Sequence, residues 1–203
     1  MELKDHWDKV YTTKQLNEVS WYQPTPTTSL QLIEEFKPDF NAQIIDIGGG
    51  DSFLVDNLVK LGFQNISILD ISNSALKRCQ ERLGVKANNV DWICSDISQF
   101  KPKRNYDLWH DRAAFHFLTD TKLINEYVHL VNNNIKSGGL LILGTFSDKG
   151  PQKCSGLEIS QYSPEQMTEL FSEHFDLEKT FMTDHNTPFN TVQNFTFGVF
   201  RKK

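Results

Sequence analysis

Three consecutive glycines stand between two short apolar runs, and few folds accommodate that arrangement. Ile44, Ile45 and Ile47 form a β-branched run interrupted only by Asp46, which suits a buried parallel strand. Gly48, Gly49 and Gly50 follow at once; without Cβ atoms they allow a sharp turn and the close approach of a ligand. Asp51 or Ser52 can then cap a helix that turns Phe53, Leu54, Leu58 and Leu61 inward. A second apolar run, 66–69, ends in Asp70, about twenty residues beyond the glycines. A glycine turn followed by a strand-end carboxylate lets a parallel sheet hold a nucleoside, the acid bonding the ribose hydroxyls.

Two cofactor classes use this plan. Dinucleotide sites need a third glycine so that helix and strand can pack closely; counted from Gly48, that position holds the bulky Phe53. S-adenosylmethionine (SAM) sites need a flat glycine turn against the amino-acid part of the cofactor. The loop therefore favours SAM, while a glycine-rich βα turn without a ligand stays open as a purely structural reading.

The segment before this core, 1–40, carries Trp7, Tyr11, Trp21 and Tyr22. Trp7 and Tyr11 are four apart and share one face of a helix. The spacing suits a helix docked by its aromatic edge, and equally a lid over a cationic ligand, since aromatic faces attract positive charge. Pro24 and Pro26 interrupt the helical pattern, and a helix over 27–36 with Leu30, Ile33 and Phe36 inward precedes Pro38.

Beyond Asp70, the Ser72-Asn73-Ser74 cluster opens a helix over 74–83 that Gly84 stops. A third strand, 90–94, leads to Asp96, placed for an adenine amino group or for simple turn capping. A fourth strand, 106–109, delivers His110, Asp111 and Arg112 to the sheet edge, with His116 close behind. Reacting groups gather at such strand ends, and histidine is the side chain most easily tuned to act as a base near neutrality. Asp111 and Arg112 can instead simply pair with each other or hold a loop.

A helix over 119–135, a stop at Ser137-Gly138-Gly139 and a buried strand over 140–145 come next. The loop 146–160 is rich in Gly, Lys, Ser and Pro and suits a specificity role. A helix from Pro164 to about His174 precedes two antiparallel strands, 175–183 and 192–201.

At 203 residues the chain suits one domain. Its net charge of -5 argues against a nucleic-acid partner, which needs a basic face. No apolar run is long enough for a membrane span. Cys79, Cys94 and Cys154 are odd in number and widely spaced, which points away from a metal site or disulfide framework and toward a cytoplasmic setting. A monomer or weak homodimer is expected.

The alternation of strand and helix, closing with a strand pair, resembles the class I SAM-dependent methyltransferases over nearly the whole chain. Ile45-Asp46-Ile47-Gly48-Gly49-Gly50 is similar to that family's first motif, Asp70 to its ribose acid, Asp96-Ile97 to its adenine contact. Lys136-Ser137-Gly138-Gly139-Leu140 is similar to its Lys-Pro-Gly-Gly turn, with Ser137 in place of proline. A narrower likeness joins His6-Trp7-Asp8, 18–23, 107–112, 115–118 and 150–156 to a group of small bacterial methyltransferases, distantly similar to protein-lysine methyltransferases such as the one acting on citrate synthase.

The resemblance implies an α/β, Rossmann-like open twisted sheet of about seven strands. Most would be parallel and one antiparallel, with helices on both faces, in a single domain over 1–203. It implies SAM as cofactor and S-adenosylhomocysteine as product. Asp46 and Gly48 to Gly50 would hold the methionine part, Asp70 and Ile71 the ribose, Asp96 and Ile97 the adenine. Trp7, Tyr11 and Trp21 would cover the cofactor, and His110 would reach it. His110, Asp111, Arg112 and His116 are the catalytic candidates. The methyl acceptor would be a small molecule, or alternatively a protein lysine; a non-catalytic SAM-binding protein is the rival of another class.

Overall fold

The computed structural model describes residues 3–203, arranged as two compact units, one running to Lys101 with 187–189, the other comprising the rest. Seven strands make one mostly parallel sheet accompanied by helices.

The first unit begins with α1 (Leu3–Thr13), a 3-10 turn (Leu16–Glu18) and α2 (Thr27–Phe36). There follow β1 (Gln43–Ile47), α3 (Leu54–Leu61), β2 (Asn65–Asp70), α4 (Asn73–Leu83) and β3 (Val90–Cys94). The strands lie in the order β3-β2-β1, all parallel, with Ile44 opposite Ile66 and Asp70 opposite Cys94. Ile44, Ile45, Ile66 and Ile68 are all buried, as a strand covered on both faces requires. Gly62 (φ 98°) closes α3 by donating to Leu58 O.

Two inward sets differ from expectation. In α2 Ile33 is buried as expected and Leu32 joins it, while Leu30 and Phe36 are half-buried. In α3, Leu54 and Leu58 are buried but Leu61 is exposed, because the helix ends there at Gly62. Ser52 serves the N-terminus of α3, accepting from Leu54 N–H at 3.0 Å. Asp51 does not cap; its carboxylate pairs with Arg78 and Arg82 instead.

The second unit holds β4 (Tyr106–Arg112), a 3-10 turn (Phe115–Phe117), α5 (Thr121–Asn134) and β5 (Ile135–Phe146). The short hairpin of β6 (Lys153–Cys154) and β7 (Leu157–Glu158) comes next, then α6 (Pro164–Phe171), β8 (Phe175–Asn186) and β9 (Val192–Lys202). Its strands run β4-β5-β9-β8, with β9 antiparallel to both neighbours. Ser163 caps α6 in a capping box with Gln166, and Pro164 sits at its first position.

β4 runs through Arg112, so His110, Asp111 and Arg112 are strand residues rather than loop residues. α5 stops three residues before the Ser-Gly-Gly turn, where three asparagines lower helix propensity and Ile135 pairs with Tyr106 as the first residue of β5. α6 ends at Phe171, short of His174, and the last two strands run longer than their apolar patterns.

Candidate functional site

The glycine turn leaves β1 with Gly48 at φ 63° and Gly50 at φ 42°, backbone that L side chains rarely adopt. A Cβ on Gly49 would lie 2.7 Å from Asp46 Oδ2, and one on Gly50 would lie 2.7 Å from Asp70 Oδ2 and 3.0 Å from Tyr11 Oη. The turn is thus a shelf walled by two carboxylates and roofed by a phenol. The second carboxylate is fixed by backbone: Ser72 N–H donates to Asp70 Oδ1 at 2.7 Å, and Gly50 N–H donates to the same side chain. Burial, and then the neighbouring charges of Asp46 and Asp8, push Asp70 up to about 7.

The aromatic residues of the N-terminal segment converge on one another. Trp7 and Tyr11 of α1 lie 6.2 Å apart between ring centroids, and Trp21 stands 5.7 Å from Trp7 and 6.3 Å from Tyr11. Tyr22 turns instead to Phe53, whose ring also lies under Arg82. Asp96 adopts its capping role: one oxygen accepts from Ser98 N–H at 2.8 Å and from Ser98 Oγ at 2.7 Å. Ile71 and Ile97 beside these acids are half-buried. Ser95 N–H donates to Asp70 O at 3.0 Å, tying the chain after β3 to the end of β2.

In the second unit the four ionisable candidates separate by role. Asp111 is fully buried and accepts from Ala114 N–H (3.0 Å), Phe115 N–H (3.1 Å) and Tyr127 Oη (2.7 Å), while Trp109 Nε1 donates to Tyr127 Oη at 3.2 Å. Burial pushes Asp111 up to about 6. This carboxylate latches the strand-to-turn corner, where Ala113 takes a positive φ of 66°. Of the two structural readings, Asp111 holds the loop rather than pairing with Arg112, whose guanidinium lies 4.8 Å from the Phe195 ring centroid.

His116 is also fully buried, packed on Phe117 and Phe146. Phe146 N–H points at its Nδ1 from 3.5 Å, and Nε2 has no hydrogen-bond partner among the described residues. Burial and the charge of Arg112 push His116 down to about 3, so it is neutral near pH 7. It lies in the 3-10 turn after β4. His110 is buried as well.

The surroundings of the shelf include residues without a local sequence signal. Asp8 accepts from Ser72 Oγ at 2.7 Å, and Arg78 donates to Tyr11 O at 2.8 Å; these partners are 64 and 67 residues apart. No short motif marks such pairs. Among the described residues no cluster of His, Cys, Asp and Glu is arranged to hold a metal, and no helix is long and apolar enough to cross a membrane.

The turn thus brings bare backbone beside a buried acid. Residues 44–139 match a methyltransferase domain family. The match spans a little under half of the chain, which is similar over that stretch to methyltransferase domains and has the Rossmann-like methyltransferase fold. It is 30% identical over 115 residues to malonyl-[acyl-carrier protein] O-methyltransferase 2 of Ilyobacter polytropus, covering 56% of this chain and 42% of that protein. It is 27% identical over 111 residues to the eEF1A lysine and N-terminal methyltransferase of Mus musculus, covering 54% of this chain and 16% of the relative. The chain therefore spans less than half the length of these curated relatives. The crystal structure of the N-methyltransferase NodS from Bradyrhizobium japonicum, in complex with S-adenosylhomocysteine, superposes with a TM-score of 0.72 at 13% identity, covering 99% of both chains.

Proposed function

We propose that this protein transfers the methyl group of SAM to a nitrogen, oxygen or sulfur atom of a small molecule. The observation that carries the reading is the glycine turn, with Gly50 at φ 42° packed closely against Asp70 Oδ2 and Tyr11 Oη. When bound, SAM supplies an activated methyl group on a sulfonium, which is already a good leaving group. Asp46 and Gly48 to Gly50 hold the amino-acid part, and Asp70, with Ile71 beside it, accepts from the ribose hydroxyls. Asp96 keeps one carboxylate oxygen on its own turn, so its adenine role falls to the other oxygen and to Ile97. Trp7, Tyr11 and Trp21 exclude water and face the positive charge.

Methyl transfer from a sulfonium mainly needs alignment and a deprotonated nucleophile, so a dedicated base is optional. His110 and Arg112 remain as acceptor-side candidates, with Asp111 and His116 acting behind them as framework. A small acceptor suits a chain of this size. The identity with a lysine methyltransferase favours a protein acceptor as the second reading. The same proposal makes the chain a single functional domain, cytoplasmic, and a monomer or weak homodimer, which light scattering on the purified protein checks.

Calorimetry with SAM and S-adenosylhomocysteine tests the seat: Asp70→Ala loses binding while its circular dichroism stays native. Unchanged affinity rules out the ribose assignment. Transfer of label from SAM to a panel of small molecules and lysine peptides then separates the two acceptor classes. Tight SAM binding with no transfer to any acceptor favours a non-catalytic binding protein.

A further inference from the structure

The seat is assembled from two parts remote in sequence, the aromatic helix α1 and the glycine turn, and one side chain touches both. Arg78, on α4, donates from Nη1 to Tyr11 O at 2.8 Å and to Lys14 O at 2.9 Å. Its Nε lies 2.9 Å from Asp51 Oδ2, on the residue directly after Gly50. The two carbonyls belong to the C-terminal end of α1, where backbone oxygens lack helical donors and carry partial negative charge. Gln15 N–H, which helical continuation would aim at Tyr11 O, donates to Glu18 Oε2 instead. The forked guanidinium can serve such carbonyls and a carboxylate together, whereas an ammonium offers a single point of charge.

One turn further along α4, Arg82 donates to Asp51 O (3.2 Å) and Ser52 O (2.7 Å) and pairs with the Asp51 and Asp56 carboxylates. At the start of α4, Asp8 accepts from Ser72 Oγ (2.7 Å) and Ser74 N–H (3.3 Å). Although burial opposes it, hydrogen bonds from Lys4, Ser72 and Ser74 hold the Asp8 carboxyl down to about 2. α4 thus grips α1 at two points and the residue after the glycines at a third, and Arg78 bonds to both the helix and that residue.

We propose that Arg78 is a positioning residue for the methyl donor: it locks α1 to the glycine turn, so that Tyr11 Oη stands over Gly50 before the cofactor arrives. The proposal rests on reading that seat as the SAM site. Its consequence is a cover that is docked in the cofactor-free protein. Losing the lock lowers the fraction of molecules with an assembled seat, and apparent affinity falls in proportion.

The test uses the full chain with Arg78→Met, which keeps much of the apolar stem, and the milder Arg78→Lys. Without ligand, hydrogen exchange in the Met variant rises over residues 3–14 and stays near wild type in β1 and β2. S-adenosylhomocysteine binding, read by calorimetry, weakens by about 10- to 100-fold, the range expected for charge-assisted hydrogen bonds. The Lys variant recovers part of both. Wild-type affinity in the Met variant, or loss of protection spread evenly through the first unit, overturns the proposal. Wild-type affinity in Asp70→Ala instead overturns the seat reading and the donor role with it, while exchange at 3–14 still reports the lock, so the two failures are distinguishable.

Discussion

Replacing Asp70 with asparagine should make the cofactor-free protein more stable at pH 8 and ruin its cofactor binding. The carboxyl titrates at about 7 in the folded protein, chiefly because of burial; in the unfolded chain an aspartate titrates near ~4. Between these values the folded state holds a proton that the unfolded state has released. The unfolded state binds fewer protons, so unfolding free energy falls as pH rises through that window. The full difference corresponds to about 4 kcal/mol above pH 7, an upper limit at about 1.4 kcal/mol per pH unit.

The asparagine amide removes that cost but keeps only one of the two backbone N–H partners, Ser72 and Gly50, returning about 1–2 kcal/mol. A net gain of about 2–3 kcal/mol raises the cofactor-free Tm by roughly 5–10 °C at pH 8 for a chain of this size. At pH 4 no charge remains to relieve, and the variant is equal to wild type or slightly weaker. Differential scanning calorimetry at the two pH values reads the change of sign. In wild type, S-adenosylhomocysteine affinity rises as pH passes about 7, because ribose hydroxyls donate best to the ionised acid. An equal Tm offset at pH 4 and pH 8 refutes the reasoning.

Gly50→Ala should lose measurable SAM binding in calorimetry, since its φ of 42° and the Asp70 oxygen 2.7 Å from the new Cβ leave no room; near-wild-type affinity contradicts the shelf geometry. Asp111→Ala strands two backbone N–H groups and the Tyr127 hydroxyl, and urea unfolding should show a loss of about 3–4 kcal/mol; a loss under about 1 kcal/mol would remove its latch role. His116, held near 3 by burial and Arg112, should show no imidazole titration by NMR between pH 5 and 8, and a midpoint near 6.5 would place it in solvent.

The shelf was legible because its ingredients are local. A parallel strand needs a β-branched apolar run, the turn needs residues that accept positive φ, and the helix that follows needs a polar start; all lie within 44–61. Asp70 was legible for the same reason, at the end of the next apolar run. Trp7 and Tyr11 declared a shared helix face by their spacing. Whether that face would dock on the body or hang free is a long-range matter, decided by Asp8 on Ser72 and by Arg78 on the α1 carbonyls. Asp51 shows the same limit: locally it is a helix cap, but two arginines from α4 offer its carboxylate more than one backbone N–H can.

The ionisable run at 110–116 announces a concentration of charge in the sequence but not its depth. A tetrad of His, Asp, Arg and His looks the same on paper whether β4 ends at Trp109 or continues to Arg112. Only the pairing of β4 with β5 through Arg112 and Gly144 carries the strand that far and buries Asp111 and His116. Chain-local chemistry set the strands, the glycine turn and the acid beside it. Tertiary packing decided which charged groups stay reachable, because burial depends on what the rest of the chain brings against each side chain.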